Sequence, residues 1–263
     1  LLYGIVLMLV ALGGMFSEHS GVINLGLEGI MIMGALGGAL TMRYVPNTVP
    51  AIVMILAVIL VSALVGMVYS CLLAVASINF KADQTITGTA MNMLATAAAT
   101  VAVKAMNTAA SGGNDVSSDI SYTRTKDLLL VHVGGFELNW FMLVAVLCLI
   151  AAYVALYKTR FGLRLRACGE HPQAADSVGI NVYRMRYAGV LISGFLGGVG
   201  GLAYVIPSVQ TWNFEVGVAG TGFLALAVMI FGQWKPFNIF GAAMFFAVFK
   251  SLANIADSTV LAQ

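Results

Sequence analysis

Long apolar runs separated by short polar stretches dominate the pattern along the chain. The runs are apolar on every side, which is typical of helices that lie in lipid or inside a bundle. A helix needs about 20 mostly apolar residues to cross the hydrocarbon core, and we identify eight candidate spans: 1–16, 21–41, 49–76, 85–106, 139–157, 188–206, 217–233 and 237–256. The pattern therefore predicts an all-α polytopic transmembrane helical bundle of about eight spans, in one domain covering 1–263.

Composition supports a membrane protein. Charged residues make up 9% of the 263 positions and hydrophobic residues 60%, whereas a soluble domain carries about 25% charged residues. This excludes a disordered chain, a secreted disulfide scaffold and an ordinary cytosolic enzyme. The formal net charge of +2 is too small to favour nucleic acid, so the expected surroundings are a lipid bilayer. Because the chain opens on Leu1 and its last apolar run ends close to Gln263, we expect both ends to be truncated.

The basic residues are unevenly distributed. The segment 158–187 holds six of the 13 Lys and Arg residues: Lys158, Arg160, Arg164, Arg166, Arg184 and Arg186. Since basic residues concentrate in cytoplasmic loops, we predict that 158–187 is cytoplasmic. Alternating the spans outward places Lys81 and Lys235 inside and Arg43, Arg124 and Lys126 outside, which is eight against three. The polar stretch 107–138 is then extracytoplasmic.

Glu28 is an acidic residue well inside a predicted span. It lies about seven residues, roughly 10 Å, into the second span, within Asn24-Leu-Gly-Leu-Glu28-Gly29. An ionisable group in hydrocarbon costs several kcal/mol unless it is paired or wet. Two interpretations stay open: Glu28 lines a translocation path, or it caps N–H groups at a helix break that the glycines and Asn24 favour. Asn92 and Thr87 either face the same path or bond to a neighbouring helix.

The basic segment contains a short helix signal. Pro172 suits the first turn of a helix and Gly179 its end. Between them Ala174, Ala175 and Val178 fall on one side, which predicts a helix of about two turns on the membrane surface. Because so short a helix is not stable alone in water, we favour docking to a partner protein over a solvated basic loop.

Sequence motifs for catalysis are missing. No G-x-x-x-x-G-K-[ST] occurs, so the chain does not bind ATP through a P-loop of its own. His19, His132 and His171 lie in three different loops, and no Ser/His/Asp set is gathered by the predicted topology. We therefore predict no catalytic residue, no metal site and no cofactor on this chain, and a protein that is not an enzyme.

Two stretches carry a family resemblance. Asn24-Leu-Gly-Leu-Glu-Gly29 and Gly169-Glu-His-Pro-Gln-Ala-Ala-Asp-Ser-Val-Gly-Ile180 resemble ABC importer permeases of the branched-chain amino acid, simple sugar and nucleoside group, and within it the nucleoside (purine lipoprotein-linked) branch. The resemblance covers nearly the whole chain. Gln173 stands where the general Glu-Ala-Ala-x-x-x-Gly pattern of these permeases has Glu. The resemblance implies that the ATPase-coupling residues are Gly169, Glu170, Pro172, Ala174, Ala175, Asp176, Gly179 and Ile180.

The resemblance also implies a larger machine. Such a permease works with two cytoplasmic ABC ATPase subunits that bind ATP, a second permease subunit of the same or a different kind, and an extracytoplasmic substrate-binding lipoprotein. It is a multi-pass protein of a bacterial-type plasma (inner) membrane and translocates a small neutral polar solute, here a nucleoside. A simple sugar, a branched-chain amino acid, or a stand-alone secondary transporter are the alternatives. Ion-coupled carriers are expected to have intramembrane carboxylates or broken helices at corresponding positions in the two halves of the chain. The second half of this chain has no segment that matches the one around Glu28.

Overall fold

The computed structural model describes residues 2–46, 49–121, 130–133, 136–206 and 211–260. Arg124 and Lys126, which were used to predict the orientation, lie outside the described residues. Ten α-helices occur in the described part, the third of which continues as a π-helical turn over Val75–Asn79: α1 Leu2–His19, α2 Leu27–Tyr44, α3 Ala51–Ala74, α4 Gln84–Ala110, α5 Trp140–Lys158, α6 Arg160–Glu170, α7 Pro172–Ser177, α8 Val182–Val205, α9 Thr221–Phe231 and α10 Pro236–Val260.

Each of the eight predicted spans contains a helix, and the all-α membrane bundle is confirmed. Within the described residues, six helices are long and apolar enough to cross a membrane: α1, α3 with its π-helical turn, α4, α5, α8 and α10. The other two differ from a simple span. Helix α2 carries Glu28 in its first turn and Arg43 in its last, and α9 has 11 residues. At 1.5 Å per residue α9 is about 16 Å long, roughly half the hydrocarbon thickness.

Helix α8 is the centre of the bundle and packs against α1, α2 and α3. Glycines permit the closest approach: a Cβ atom on Gly34 of α2 would lie 2.4 Å from the Cα atom of Gly198 in α8. The Ser62 hydroxyl of α3 lies 2.7 Å from the carbonyl oxygen of Gly34 and 2.8 Å from that of Gly198, and it donates to both. Small residues thus bring α2, α3 and α8 into close contact.

The basic segment contains two helices where the sequence predicts one. Helix α7 agrees with the prediction: it begins at Pro172, and Gly179 follows it with a φ of +80°. Helix α6 was missed. Its N-cap is Thr159, whose hydroxyl accepts from the Gly162 N–H at 3.2 Å, and its buried Leu165 faces the bundle.

Helix α8 begins at Val182, six residues before the predicted start at 188. The side chain of Asn181 accepts a hydrogen bond of 3.0 Å from the Arg184 N–H, which caps the first turn. Two of the arginines assigned to the loop therefore belong to the first turns of α8. The end of the bundle that carries α6 and α7 is called the basic end below.

Two small antiparallel sheets were not predicted. Strand β1 (Asp119–Ser121) pairs with β4 (Thr211–Asn213), and β2 (Leu130–Val133) pairs with β3 (Phe136–Asn139). The β1–β4 pair joins the connection after α4 to the connection after α8, at the end of the bundle opposite the basic end. Strands of three or four residues are too short to give a periodic sequence signal.

Candidate functional site

The chain breaks its helical path between α1 and α2. Residues 20–26, called the break below, connect His19 to Leu27 without forming a helix. The break lies inside the bundle, because Ser20 and Asn24 are fully buried. Gly21 has a φ of +83°, a left-handed conformation that favours glycine. A buried non-helical backbone needs other partners for its N–H and C=O groups.

Two asparagine amides supply those partners. Asn24 accepts from the Gly26 N–H at 3.1 Å and donates to the Ser193 hydroxyl of α8 at 2.9 Å. Asn92 of α4 accepts from the Gly29 N–H at 2.8 Å and donates to the Leu25 carbonyl at 2.9 Å. The two side chains thus replace the missing helical hydrogen bonds and connect the break to α8 and α4.

Glu28 lies at the first turn of a different helix, α9. Its Oε1 accepts from the Gly220 N–H at 2.8 Å and its Oε2 from the Gly222 N–H at 2.6 Å. Gly220, with a φ of +75°, is the N-cap residue of α9. The first N–H groups of a helix have no partner within the helix and carry partial positive charge, so an acceptor carboxyl stabilises them. Glu28 therefore joins the start of α2 to the start of α9.

Glycines make these contacts close. A Cβ atom on Gly222 would lie 2.5 Å from the Glu28 nitrogen, and one on Gly88 of α4 would lie 2.9 Å from the Gly26 nitrogen. A Cβ atom on Gly29 would lie 2.9 Å from the Met91 carbonyl oxygen. The backbones of α4 and α9 therefore lie directly against the first turn of α2. A residue larger than glycine at these positions would prevent such a close approach.

The structure brings three of the four predicted intramembrane residues together. Asn24, Glu28 and Asn92 all bind backbone groups at the start of α2 or α9. Thr87 lies in the first turn of α4, where its hydroxyl donates to the Asp83 carbonyl at 2.7 Å. Sequence reasoning did not single out Ser193, Gly220 or Gly222. The glycines that crowd the start of the 217–233 run were the available signal for a helix that begins inside the bundle.

Aromatic rings lie near this site, toward the end opposite the basic end. The rings of Tyr3 and Tyr204 are 6.4 Å apart, and those of Tyr204 and Trp212 are 5.6 Å apart in an edge-to-face arrangement. At the same end, Lys104 forms a salt bridge of 2.6 Å with Glu215. The hydrogen bond from Lys104 and its positive charge lower the pKa of the Glu215 carboxyl.

The eight predicted coupling residues all lie at the basic end, in α6, in α7 and in the turn that follows α7. Four of them are exposed: Glu170, Ala174, Asp176 and Gly179. Ala175 is buried, so it faces the chain itself rather than solvent. Gly169 packs α6 against the end of α1, since a Cβ atom there would lie 2.4 Å from the His19 carbonyl oxygen. Gly169, Pro172 and Ile180 are half-buried.

Comparison with known proteins identifies the family. The family described as the branched-chain amino acid transport system / permease component matches residues 1–261. The chain belongs to this permease family. The chain is 40% identical to the guanosine ABC transporter permease protein NupQ of Bacillus subtilis over 98% of its own length and 81% of that protein.

Two further relatives cover most of the chain. It is 40% identical to the nucleoside ABC transporter permease protein NupC of Lactococcus lactis, over 97% of the chain and 80% of that protein. It is 30% identical to the putative glucose ABC transporter permease protein TsgC13 of Haloferax volcanii, over 98% of the chain and 76% of that protein. No solved structure matches the chain.

These comparisons confirm the predicted resemblance. The chain is a multi-pass membrane protein and a permease of the ABC transporter type. Its relatives are transport permeases rather than enzymes. Such permeases work with ATPase and substrate-binding partners in general. The roles of individual residues in the break and in α7 remain predictions.

Proposed function

We propose that the chain is the membrane-spanning permease subunit of an ATP-driven importer for nucleosides. The observation that supports this most is the 40% identity, over nearly the whole chain, to two permeases named for guanosine and for nucleosides. The relative named for glucose is less similar, at 30%, which makes a simple sugar the second candidate. A branched-chain amino acid is the third, on the family description.

The proposed assembly joins the chain to three kinds of protein subunit. The chain pairs with a second permease subunit, identical or related, in a bacterial-type inner membrane. Two cytoplasmic ATPase subunits bind and hydrolyse ATP, and an extracytoplasmic lipoprotein delivers the solute. The permease itself holds neither ATP nor another cofactor. The three relatives described above are each named as ABC transporter permease proteins, which supports this division of labour.

In this proposal the basic end faces the cytoplasm and 107–138 faces outward. The bias of Lys and Arg toward 158–187 supports that orientation. In this proposal α7 seats in a groove of the ATPase through its exposed residues, which include Ala174 and Asp176. The buried Ala175 has a different task, because it positions α7 on the bundle.

Contacts at the basic end suggest how movement reaches the membrane interior. Gly169 of α6 packs on the carbonyl of His19, the last residue of α1. The break follows at once and leads to Glu28, whose carboxyl binds the start of α9. A shift of α6 and α7 that accompanies ATPase closure therefore acts directly on the break and on α9, where two helix starts meet. Differential docking in the two nucleotide states biases the inward-open against the outward-open bundle.

A neutral solute suits the interior. Glu28 is bound to backbone N–H groups, and Glu18 accepts from the Trp234 indole N–H. Both acidic side chains of the α1–α2 region thus have structural partners, which leaves them poorly suited to carry a coupling ion. This favours an ATP-driven permease over a stand-alone secondary transporter.

Transport in proteoliposomes tests the proposal. The chain is reconstituted with its second permease and ATPases, and uptake of radiolabelled guanosine is measured with the loaded lipoprotein outside and ATP inside. We expect uptake that requires ATP and that excess inosine, but not glucose or leucine, suppresses. If glucose or leucine suppressed uptake and inosine did not, the transported solute would be a sugar or an amino acid instead. Uptake driven by an ion gradient in the absence of the ATPases would refute the importer.

A further inference from the structure

A cavity of about 290 Å³ opens at the basic end and belongs neither to the break nor to α7. It lies between the π-helical turn that ends α3, the start of α4 and the start of α8. Its lining combines two cations with polar and apolar side chains, chiefly Lys81, Arg186, Ser77, Gln84, Tyr183 and Ile78. No carboxylate is part of this lining, so the cavity is positively charged.

Some hydrogen-bond donors of the residues that line this cavity lack an acceptor. The Nε atom of Arg186 is buried and has no hydrogen-bond partner in the part of the chain that the structure describes. The salt bridge found among the described residues joins Lys104 and Glu215, and it includes neither Lys81 nor Arg186. Lys81 and Arg186 both line the cavity, and neither charge is paired in a salt bridge among the described residues. An anion that enters the cavity can therefore pair with both of them.

Gln84 adds a further donor. Its Oε1 atom already accepts from the Ile23 N–H at 2.8 Å, which leaves its NH₂ group to donate. The nearest acidic residue in sequence, Asp83, accepts from the N–H groups of Thr85 and Ile86 and so caps α4. The cavity therefore presents two cations and an amide donor, which is the chemistry that binds a phosphate oxygen.

The depth and surroundings of the cavity favour a lipid over a free anion. Ser77 and Ile78 lie in the π-helical turn, deeper in the span than Lys81. Phe80 and Ile86, adjacent to the lining, are 78% and 70% exposed. A cationic rim above an apolar wall matches a phosphodiester that is joined to acyl chains, and basic pockets between membrane helices bind such head groups.

We propose that this cavity binds the phosphate head group of an anionic phospholipid. The bound lipid would stabilise the break, because two of the residues that line the cavity contact it. Gln84 binds the Ile23 N–H, and the Arg186 guanidinium lies against Gly21, where an added Cβ atom would be 3.5 Å from Nη2. The lipid site is independent of the transported solute, so its failure would not affect the proposed transport function.

Native mass spectrometry of the full chain tests the site. The chain is purified in mild detergent, incubated with phosphatidylglycerol or with phosphatidylcholine of the same acyl chains, and its lipid adducts are counted. We expect retention of phosphatidylglycerol in preference to phosphatidylcholine. Each cation near a lipid surface contributes about fivefold in affinity, so Lys81→Asn with Arg186→Gln should lower retention by at least about tenfold. Asn at position 81 tolerates the local φ of +54°.

A matched control removes the same charge from the same end. Lys158→Gln with Arg160→Gln changes two exposed cations outside the cavity and should retain the lipid as the unmodified chain does. Lys81→Asn alone, at an exposed position, provides a variant whose folding is not at risk. Equal loss in the control pair, unchanged retention in the cavity variants, or equal competition by inorganic phosphate would overturn the proposal. Release of one lipid for each ATPase subunit added would assign the cavity to the ATPase interface instead.

Discussion

Glu28 in α2 and Gly222 in α9 are 194 positions apart in the chain, and a hydrogen bond of 2.6 Å joins them inside the bundle. Together with the bond from Gly220, it makes one carboxyl group the N-terminal cap of a half-length helix. Helix α9 therefore begins in close contact with the first turn of α2. Any movement of the start of α2 must move α9 or break these bonds.

Removing acceptor oxygens from the Glu28 side chain should destabilise the start of α9. A hydrogen bond to a charged group contributes about 1.5–3 kcal/mol, so we expect Glu28→Gln, which keeps one acceptor oxygen, to lower the free energy of unfolding by about 2 kcal/mol. Glu28→Ala removes both acceptors and should cost more. Unfolding of the purified chain in mild detergent measures the effect. Glu170→Gln, at an exposed position of α6, is the control, and a stable Glu28→Ala variant would contradict the capping role.

The sequence predicts helices well here and helix ends less well. Long apolar runs leave a strong signal, so each of the eight predicted spans contains a helix. The start of α8 was placed six residues late because Arg184 and Arg186 look like loop residues, although the Asn181 cap shows that the helix begins before them. Helix α6 was missed because its buried positions, Gly162, Leu165 and Cys168, are scattered among arginines.

The sequence identified most of the residues of the candidate site, but it did not predict which groups they contact. Asn24, Glu28 and Gly29 stand close together in the sequence, so a break there could be suggested from propensity alone. The partner of Glu28 could not, because a contact between positions 28 and 222 depends on tertiary packing and leaves no local pattern. The short sheet between β1 and β4 was unpredictable for the same reason.

Adding one methyl group at the centre of the bundle should be strongly destabilising. In Gly198→Ala the new Cβ atom would lie 2.4 Å from the Ser62 carbonyl oxygen, and overpacking of this kind costs about 1–3 kcal/mol or more. Gly241→Ala in α10 is the matched control, since nothing lies within 4 Å of its Cβ position. There the change should stabilise the helix by about 0.5–1 kcal/mol. Thermal unfolding in detergent should therefore give shifts of opposite sign, and equal shifts would be inconsistent with the close approach of α3 to α8.

Asn92 should be needed to hold the break in place. Asn92→Ala leaves the Gly29 N–H and the Leu25 carbonyl without their partner, at a cost of about 1–3 kcal/mol for each buried group. Asn92→Asp keeps the acceptor for Gly29 and should be intermediate. Amide hydrogen exchange of residues 21–29 should accelerate in Asn92→Ala. Asn238→Ala, at an exposed position of α10, should leave the exchange unchanged, and slow exchange in both variants would rule out this role.

The Lys104–Glu215 salt bridge should give a small, pH-dependent effect. Because Lys104 lowers the pKa of Glu215, the pair contributes stability above the ordinary carboxyl pKa of about 4.3 and loses it as the pH falls through the lowered value. We expect Lys104→Gln to lower Tm slightly at neutral pH, and the difference to vanish in strong acid and in high salt. A difference that persists at low pH would mean that Lys104 acts through packing instead.

The exposed side of α7 should be the part that couples the permease to its ATPase. Ala174 is exposed and Ala175 is buried, so the two positions separate docking from folding. We expect Ala174→Glu to abolish ATP-dependent nucleoside uptake with little change in stability, since surface substitutions usually stay within about 0.5 kcal/mol. Ala175→Glu buries a charge and should destabilise the chain itself. Ala109→Glu places the same side chain on the exposed end of α4, opposite the basic end, and should transport normally. Uptake by Ala174→Glu at the unmodified rate would exclude this part of α7 as the docking surface. A glutamate side chain in a closely packed interface would clash with the ATPase and weaken binding.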